Sequence, residues 1–327
     1  MERNKSLNLI KLLACISVVF IHVSFPGIFG ETVKNLSSWA VPVFIMIAGY
    51  YSFGCDESKI LNRFKKAVTL LLFGYVVFFA YQMFWLIRTG NSFVEWFTEN
   101  YNALNPVLFF VFCTVRWAIP LWYLIAMAET YLFWHWIVKR NGQNMIKKYV
   151  GLLFILEILA TLLVDSKGLD RMTKVNFLTS FLPWFLLGYL IKEKYEKAIA
   201  EFSNFKIVLA IAIGGIITAS SVILKLPINY SYLGTIVSAP AIFIWGVKNP
   251  QIRISNFPIY LGDKISLYVY IFHLPTAQLI YCFLIDVINT DTLEKYQKYH
   301  PLVTLIVVFI ISILFEKIVT FIKKKVL

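Results

Sequence analysis

Lys11 and His22 are the first residues of this chain whose types and spacing suit chemistry. Both fall in the apolar run from Leu7 to about Phe25. Eleven steps of about 100° return a helix to within about 20° of its starting face. The two side chains therefore share one stripe, about 16 Å apart along the axis. An ammonium near one end of such a stripe can meet an anion, and an imidazole near the other can take a proton from a hydroxyl as a general base. Plainer readings stand beside these: Lys11 reaching the headgroups along its own alkyl stem, and His22 hydrogen-bonded between helices.

Further ionisable groups fall inside apolar runs: Glu129, Glu157 and His273, with Asp263 and Lys264 at a boundary. In hydrocarbon each costs about 2.5–3.5 kcal/mol or more unless paired or hydrated. Glu129 follows Trp122 by seven residues on the same helical face. It is the carboxylate candidate for orienting a basic group such as His22 and fixing its tautomer. Glu157, among Ile155, Leu156 and Ile158, reads as a neutral structural acid. Ser266, Tyr270 and His273, four and three residues apart, line one face ahead of Pro275 and read as a polar seam between helices. The four cysteines, Cys15, Cys55, Cys113 and Cys282, have no CxxC or Cys/His spacing, so neither a disulfide framework nor a metal site is expected.

The elements that carry these groups follow from composition. Hydrophobic residues make up 59% of 327 and mean hydropathy is +0.71, with the apolar residues in long runs that no soluble core of this size would hide. The expected fold is all-α, a polytopic transmembrane bundle of about ten spans, near 7–26, 36–53, 66–87, 119–138, 148–165, 176–192, 205–225, 230–247, 262–287 and 301–322. Spans and short loops consume the length, so 1–327 reads as a single membrane-embedded domain. The first run lacks a small-residue cleavage site and reads as a retained span.

With a cytoplasmic N-terminus, 20 of the 31 Lys and Arg fall on inside segments, from Arg3 and Lys5 to Lys323, Lys324 and Lys325. The outside segments hold 9, among them Lys34, Arg88, Arg116, Arg171 and Lys295. The positive-inside rule then puts both termini in the cytoplasm. The net charge of +13 is explained by that orientation, because the basic residues form small groups between spans and no continuous stripe for nucleic acid. The external segment near 88–118 contains Pro106 and the apolar stretch 107–112, too short to span. It is expected to fold back into the outer leaflet, to cap the bundle, or to lie at the interface. HExxH, Walker and GxGxxG patterns are absent, as are internal repeats of the kind many transporters carry.

Five motifs in order resemble the membrane-bound acyltransferase 3 family. Asn8-Leu9-Ile10-Lys11-Leu12-Leu13-Ala14 with Val18-Val19-Phe20-Ile21-His22 resembles the family's first helix, in which an arginine precedes a histidine with ten residues between. Residues 41–51, a proline-aromatic run ending Ala48-Gly49-Tyr50, resemble the second-span motif, and residues 59–66 the basic entry to the third span. Pro120-Leu121-Trp122-Tyr123-Leu124 resembles a Leu-Trp-Phe-Leu motif, and residues 261–275 a late Gly-x-x-Ser…Tyr…His motif. One departure is that Lys11 stands where the family has arginine, which keeps the charge and loses the planar fork.

The resemblance implies a cell-membrane acyltransferase with acyl-CoA, in the first instance acetyl-CoA, as co-substrate, no bound cofactor, and an extracytoplasmic sugar acceptor. It makes His22 the leading catalytic residue, with Glu129 to orient it. The nucleotide would stay at the basic inner face, where Arg63, Lys65 and Lys66, aided by Lys11, would meet its phosphates. Arg116, Trp117 and Trp122 are acceptor-binding candidates, although an interfacial aromatic belt explains the tryptophans equally well. Two other readings share the same charges: a transporter or flippase of a lipid-linked glycan, and an accessory membrane subunit. Acyl-CoA dependence separates an enzyme from both. The acceptor's identity and the oligomeric state are not written in the sequence.

Overall fold

The computed structural model describes residues 4–169, 174–287 and 296–326. An apolar surrounding leaves helices as the economical way to satisfy the backbone, and among the described residues the structure is helical with no strand. In chain order the principal helices are α1 (Lys5–His22), α2 (Gly27–Leu36), α3 (Ala40–Tyr50), α4 (Glu57–Thr89), α5 (Phe93–Asn100), α6 (Asn105–Phe112) and α7 (Trp122–Lys139). They continue as α8 (Val150–Lys167), α9 (Leu182–Leu190), α10 (Asn204–Ile223), α11 (Ile228–Lys248), α12 (Ser266–Val287) and α13 (His300–Val326). Of the basic residues used for orientation, Arg3, Arg171 and Lys295 lie outside the described residues.

Eight helical stretches among the described residues are long and apolar enough to cross a bilayer: Lys5–His22, Glu57–Thr89, Asn105–Lys139, Gln143–Ser166, Asn204–Ile223, Tyr230–Lys248, Asn256–Ile285 and His300–Lys325. The other two expected spans, 36–53 and 176–192, are built differently. In the first, a 3-10 turn at Ser37–Trp39 precedes an α3 of 11 residues, about 16 Å of helix against a core of about 30 Å. In the second, π turns at Phe177–Phe181 and Ile191–Tyr195 flank the nine residues of α9. Nearly every side chain of α9 is buried, as expected of a helix apolar on all sides and enclosed by protein.

The chain divides into two compact units, one of residues 1–44 and 195–327, the other of residues 45–194. In the first, α1 is the central element, packed against α2, α11, α12 and α13. Its start is pinned: Asn4 accepts from the Leu7 N–H at 2.9 Å and donates to the Gly246 carbonyl at 3.0 Å, and the Lys5 N–H reaches the Pro250 carbonyl at 2.9 Å. A π turn at Leu261–Ile265 leads into α12 and lies against α1. Gly262 permits that approach, because a Cβ there would overlap the backbone carbonyl of Asn8 and sit 3.1 Å from the Leu12 nitrogen.

In the second unit α4 runs 33 residues beside α7. The 88–118 segment forms the two short helices α5 and α6. Trp96 of α5 is buried against Phe79 of α4 and against Trp117, with ring centroids 6.0 and 5.7 Å apart. Val107, Phe110 and Val111 of α6 stay exposed as an apolar surface.

Asp56 caps α4, accepting from the Lys59 N–H at 2.8 Å and from the Ser58 hydroxyl at 2.7 Å. These bonds, the backbone one foremost, hold its carboxyl down at about 2. A depressed carboxylate lends stability that is complete above its unfolded value, near 3.9, and is lost as pH falls through the folded one. Asp56→Ala is therefore expected to lower the thermal midpoint of the detergent-solubilised protein at pH 5–7. The difference from wild type should shrink as pH falls from about 4 towards 2. An offset constant across that window would contradict the cap.

Candidate active site

His22 ends α1, half-buried, between the inward-facing Cys15 and Val19 of the helix and the buried cap residue Val23. These side chains form one buried cluster with Ile265, Val269 and Ala277 and with Val308 of α13. The packing fixes α1 against α12 and brings the rings of His22 and His273 to a centroid separation of 5.0 Å, tilted by 48°. His273 is wholly buried. Its Nδ1 lies 2.7 Å from the Tyr270 carbonyl. A carbonyl only accepts, so that contact assigns the proton of a neutral ring to Nδ1 and the lone pair to Nε2. Nε2 has no hydrogen-bond partner. Lys34 of α2 lines the cavity just past the end of α1.

Lys11 lies on the same unbroken helix, half-buried, its ammonium donating to Asn8 Oδ1 at 3.2 Å. Ser266 donates to the Gly262 carbonyl at 2.8 Å, tying the π turn to α12, and its own carbonyl accepts from the Cys15 thiol at 3.4 Å. Tyr270 packs on Ala14, Val18 and Ala40, and its ring centroid lies 6.2 Å from that of His273. The first unit thus gathers Lys11, His22, Ser266, Tyr270 and His273 around two helices. Two open cavities flank α1. One, of about 440 Å³, is lined by Lys5, Gln251, Asn256 and Lys264 near the start of the helix. The other, of about 430 Å³, is lined by Ser24, Glu31 and Lys34 just past its end.

The remaining candidates belong to the second unit. Glu129 is half-buried and accepts from the Cys113 thiol at 3.2 Å. Cys113 sits in the left-handed region at φ 48 where α6 ends. Its pairing with a residue sixteen positions on has no periodic signal in the sequence. Glu157 accepts from the Trp184 indole at 3.1 Å in the packed interior. Arg63 works as a clamp, donating to the Tyr51 carbonyl at 2.6 Å and to the Ser52 hydroxyl at 3.3 Å, whereas Lys65 and Lys66 are exposed. Arg116 is exposed, and Trp122 is half-buried with its ring 6.2 Å from that of Tyr123. Trp117 stands in an aromatic nest with Tyr75 at 4.7 Å, Trp96 and Tyr101.

A half-buried imidazole beside a second, wholly buried one that keeps a lone pair is suited to moving a proton, and no metal-like group of further ligands surrounds them among the described residues. A family model described as an acyltransferase domain matches residues 4–319, from the cap of α1 almost to the end of α13. No curated protein and no solved structure matches the chain. The matched segment includes both histidines, Lys11 and every other candidate above, and with it the chain belongs to the acyltransferase 3 family, as a multi-pass membrane acyltransferase.

Proposed function

We propose that this protein moves an acyl group, acetyl in the first instance, from cytoplasmic acyl-CoA to a hydroxyl of an extracytoplasmic or lipid-linked glycan. It works in the cell membrane with both termini cytoplasmic, and His22 is the general base. The observation that carries the reading is the His22–His273 ring pair at the end of a membrane-length helix, in a chain of acyltransferase lineage. His22 takes the proton of the acceptor hydroxyl as its oxygen bonds to the thioester carbonyl carbon. The carbon–sulfur bond then breaks, and the coenzyme A thiolate leaves with the proton that His22 returns. Direct transfer needs one tetrahedral step, and no acyl-histidine has to be formed.

Cavities at opposite ends of α1 suit two substrates arriving from opposite directions. Lys11 lies between those ends, and a single ammonium there serves an anionic donor as a point charge. Arg63, Lys65 and Lys66 belong to the basic inner segment, and Lys65 and Lys66 have their ammonium groups free of the clamp that occupies Arg63. Arg116, Trp117 and Trp122 are the aromatic and cationic residues that a sugar would contact, and Glu129, two turns further along α7, is the carboxylate of that unit held by the Cys113 thiol. Charge reversal at both lysines, Lys65→Glu with Lys66→Glu, is expected to raise KM for acetyl-CoA roughly tenfold with kcat unchanged, since each exposed ionic contact is worth about 1 kcal/mol at most. An unchanged KM would remove these lysines from donor binding.

The reading itself is tested in sided vesicles by thiol release from acetyl-CoA. Release from the face carrying Lys65 and Lys66 supports it. Release only from the opposite face, or none with native glycan present, overturns it.

A further inference from the structure

We infer that His273 is the positioning residue of His22, accepting an N–H of that ring as it becomes protonated during acyl transfer. The inference rests on the acyl-transfer reading above and assigns to a second histidine the role a carboxylate fills in many acid–base pairs. Three observations carry it. The rings lie 5.0 Å apart between centroids, a spacing at which facing nitrogens share a hydrogen bond after a small ring rotation. The terminal torsion of a histidine is broad enough to permit that rotation. The Tyr270 carbonyl holds His273 Nδ1 at 2.7 Å, which leaves Nε2 as an acceptor. Finally, Nε2 is buried and unpartnered, on a side chain with 0% exposure.

A buried acceptor without a partner is costly, and such a group in a native structure calls for an explanation. His22 is suited to be that partner. As a neutral imidazole it has a single N–H, and once it has taken the acceptor's proton it has two. The bond to His273 therefore strengthens with the charge on His22, so it stabilises the transition state more than the resting protein. The surroundings fit this assignment. The ring of His273 on α12 stands 5.0 Å from that of His22, and Lys34 of α2 acts on His22 through space. The cluster of Cys15, Val19, Val269 and Val308 keeps both rings in place. The π turn held by Gly262 fixes the start of α12 against α1.

The experiment compares His273→Phe, which keeps the ring volume and removes the acceptor, with His273→Gln, which restores an acceptor oxygen. In membrane vesicles supplied with acetyl-CoA and native glycan, His273→Phe is expected to lower kcat about 10- to 100-fold with little change in KM. His273→Gln should recover a substantial part of that loss. Carbethoxylation of His22 by diethyl pyrocarbonate, followed by mass spectrometry, gives a readout independent of turnover and should change in His273→Phe. Wild-type kcat and wild-type His22 reactivity in a folded His273→Phe protein would overturn the inference while leaving acyl transfer intact. Equal losses in both variants would assign His273 to packing alone. Absence of thiol release by the wild type would instead sink the acyl-transfer reading and, with it, this assignment.

Discussion

His22→Ala is expected to lower acyl transfer by about 10²- to 10⁴-fold, the contribution of a positioned general base, with folded protein still present in the membrane. His22 is half-buried at the last position of α1, where the chain leaves the helix. The buried contacts of Cys15 and Val19 on α1, and of Val23 just beyond it, do not include it. Truncating the ring removes the only side-chain nitrogen of that helix end while the helix keeps its packing. His22→Gln separates position from proton transfer, since an amide fills the space and hydrogen-bonds without accepting the proton. Both variants should lose kcat together. A folded His22→Gln protein with wild-type kcat would remove His22 from the chemistry.

Gly188→Val has the second largest expected effect, on stability. In the second unit Gly188 of α9 faces the backbone of Met46, with the Met46 Cα 2.7 Å from where a Cβ would stand. Gly49 faces the backbone of Phe185 in the same way, with the Phe185 carbonyl carbon at 2.7 Å. Two glycines thus set a close helix–helix approach in which each obstacle is main chain and cannot turn aside, as small residues do between membrane helices. A branched side chain at 188 must push the segments apart and unseat Trp134, Trp184 and Phe185, all fully buried. Overpacking of this kind costs about 3 kcal/mol. Thermal unfolding in detergent, followed by size exclusion, should register the loss. Gly151→Ala is the contrast, because a Cβ in that part of α8 meets nothing within 4 Å, and alanine favours the helix by about 1 kcal/mol. A Gly188→Val protein as stable as wild type would contradict the close packing.

How much of this was legible in the sequence depends on whether the signal lies within one helix or between helices. The stripe of Lys11 and His22 needs only the pitch of α1, and the structure keeps that helix unbroken from Lys5 to His22. The eight long apolar stretches were equally visible, since length and hydropathy are local properties. The runs at 36–53 and 176–192 are apolar too, yet one is shortened by a 3-10 turn and the other is flanked by π turns and enclosed. Hydropathy does not separate a side chain buried by lipid from one buried by protein.

The candidate site divides along the same line. Ser266, Tyr270 and His273 are recognisable as one face from their spacing alone, and that spacing suggested a seam. The approach of His273 to His22 depends on the register of α12 against α1, which Gly262 and its π turn set. Nothing periodic announces a contact between residues 251 positions apart. Cys113 was likewise invisible as the partner of Glu129, because a left-handed residue at the end of α6 makes the contact. Arg63 was recognisable as a cation, but its two backbone and hydroxyl contacts appear only once the α3–α4 connection is folded.

The central claim, that this membrane acyltransferase draws its acyl group from acyl-CoA and delivers it to a glycan, is tested most directly by following label. Sided vesicles containing the wild-type protein and native glycan would receive acetyl-labelled acetyl-CoA at the cytoplasmic face, with acyl-CoAs of longer chain as a second donor set. The account predicts alkali-labile acyl label on glycan hydroxyls, in step with thiol release and absent with His22→Ala. Glycan crossing the membrane without acquiring label from any of these donors would contradict it and leave the protein's acyl donor outside the CoA thioesters.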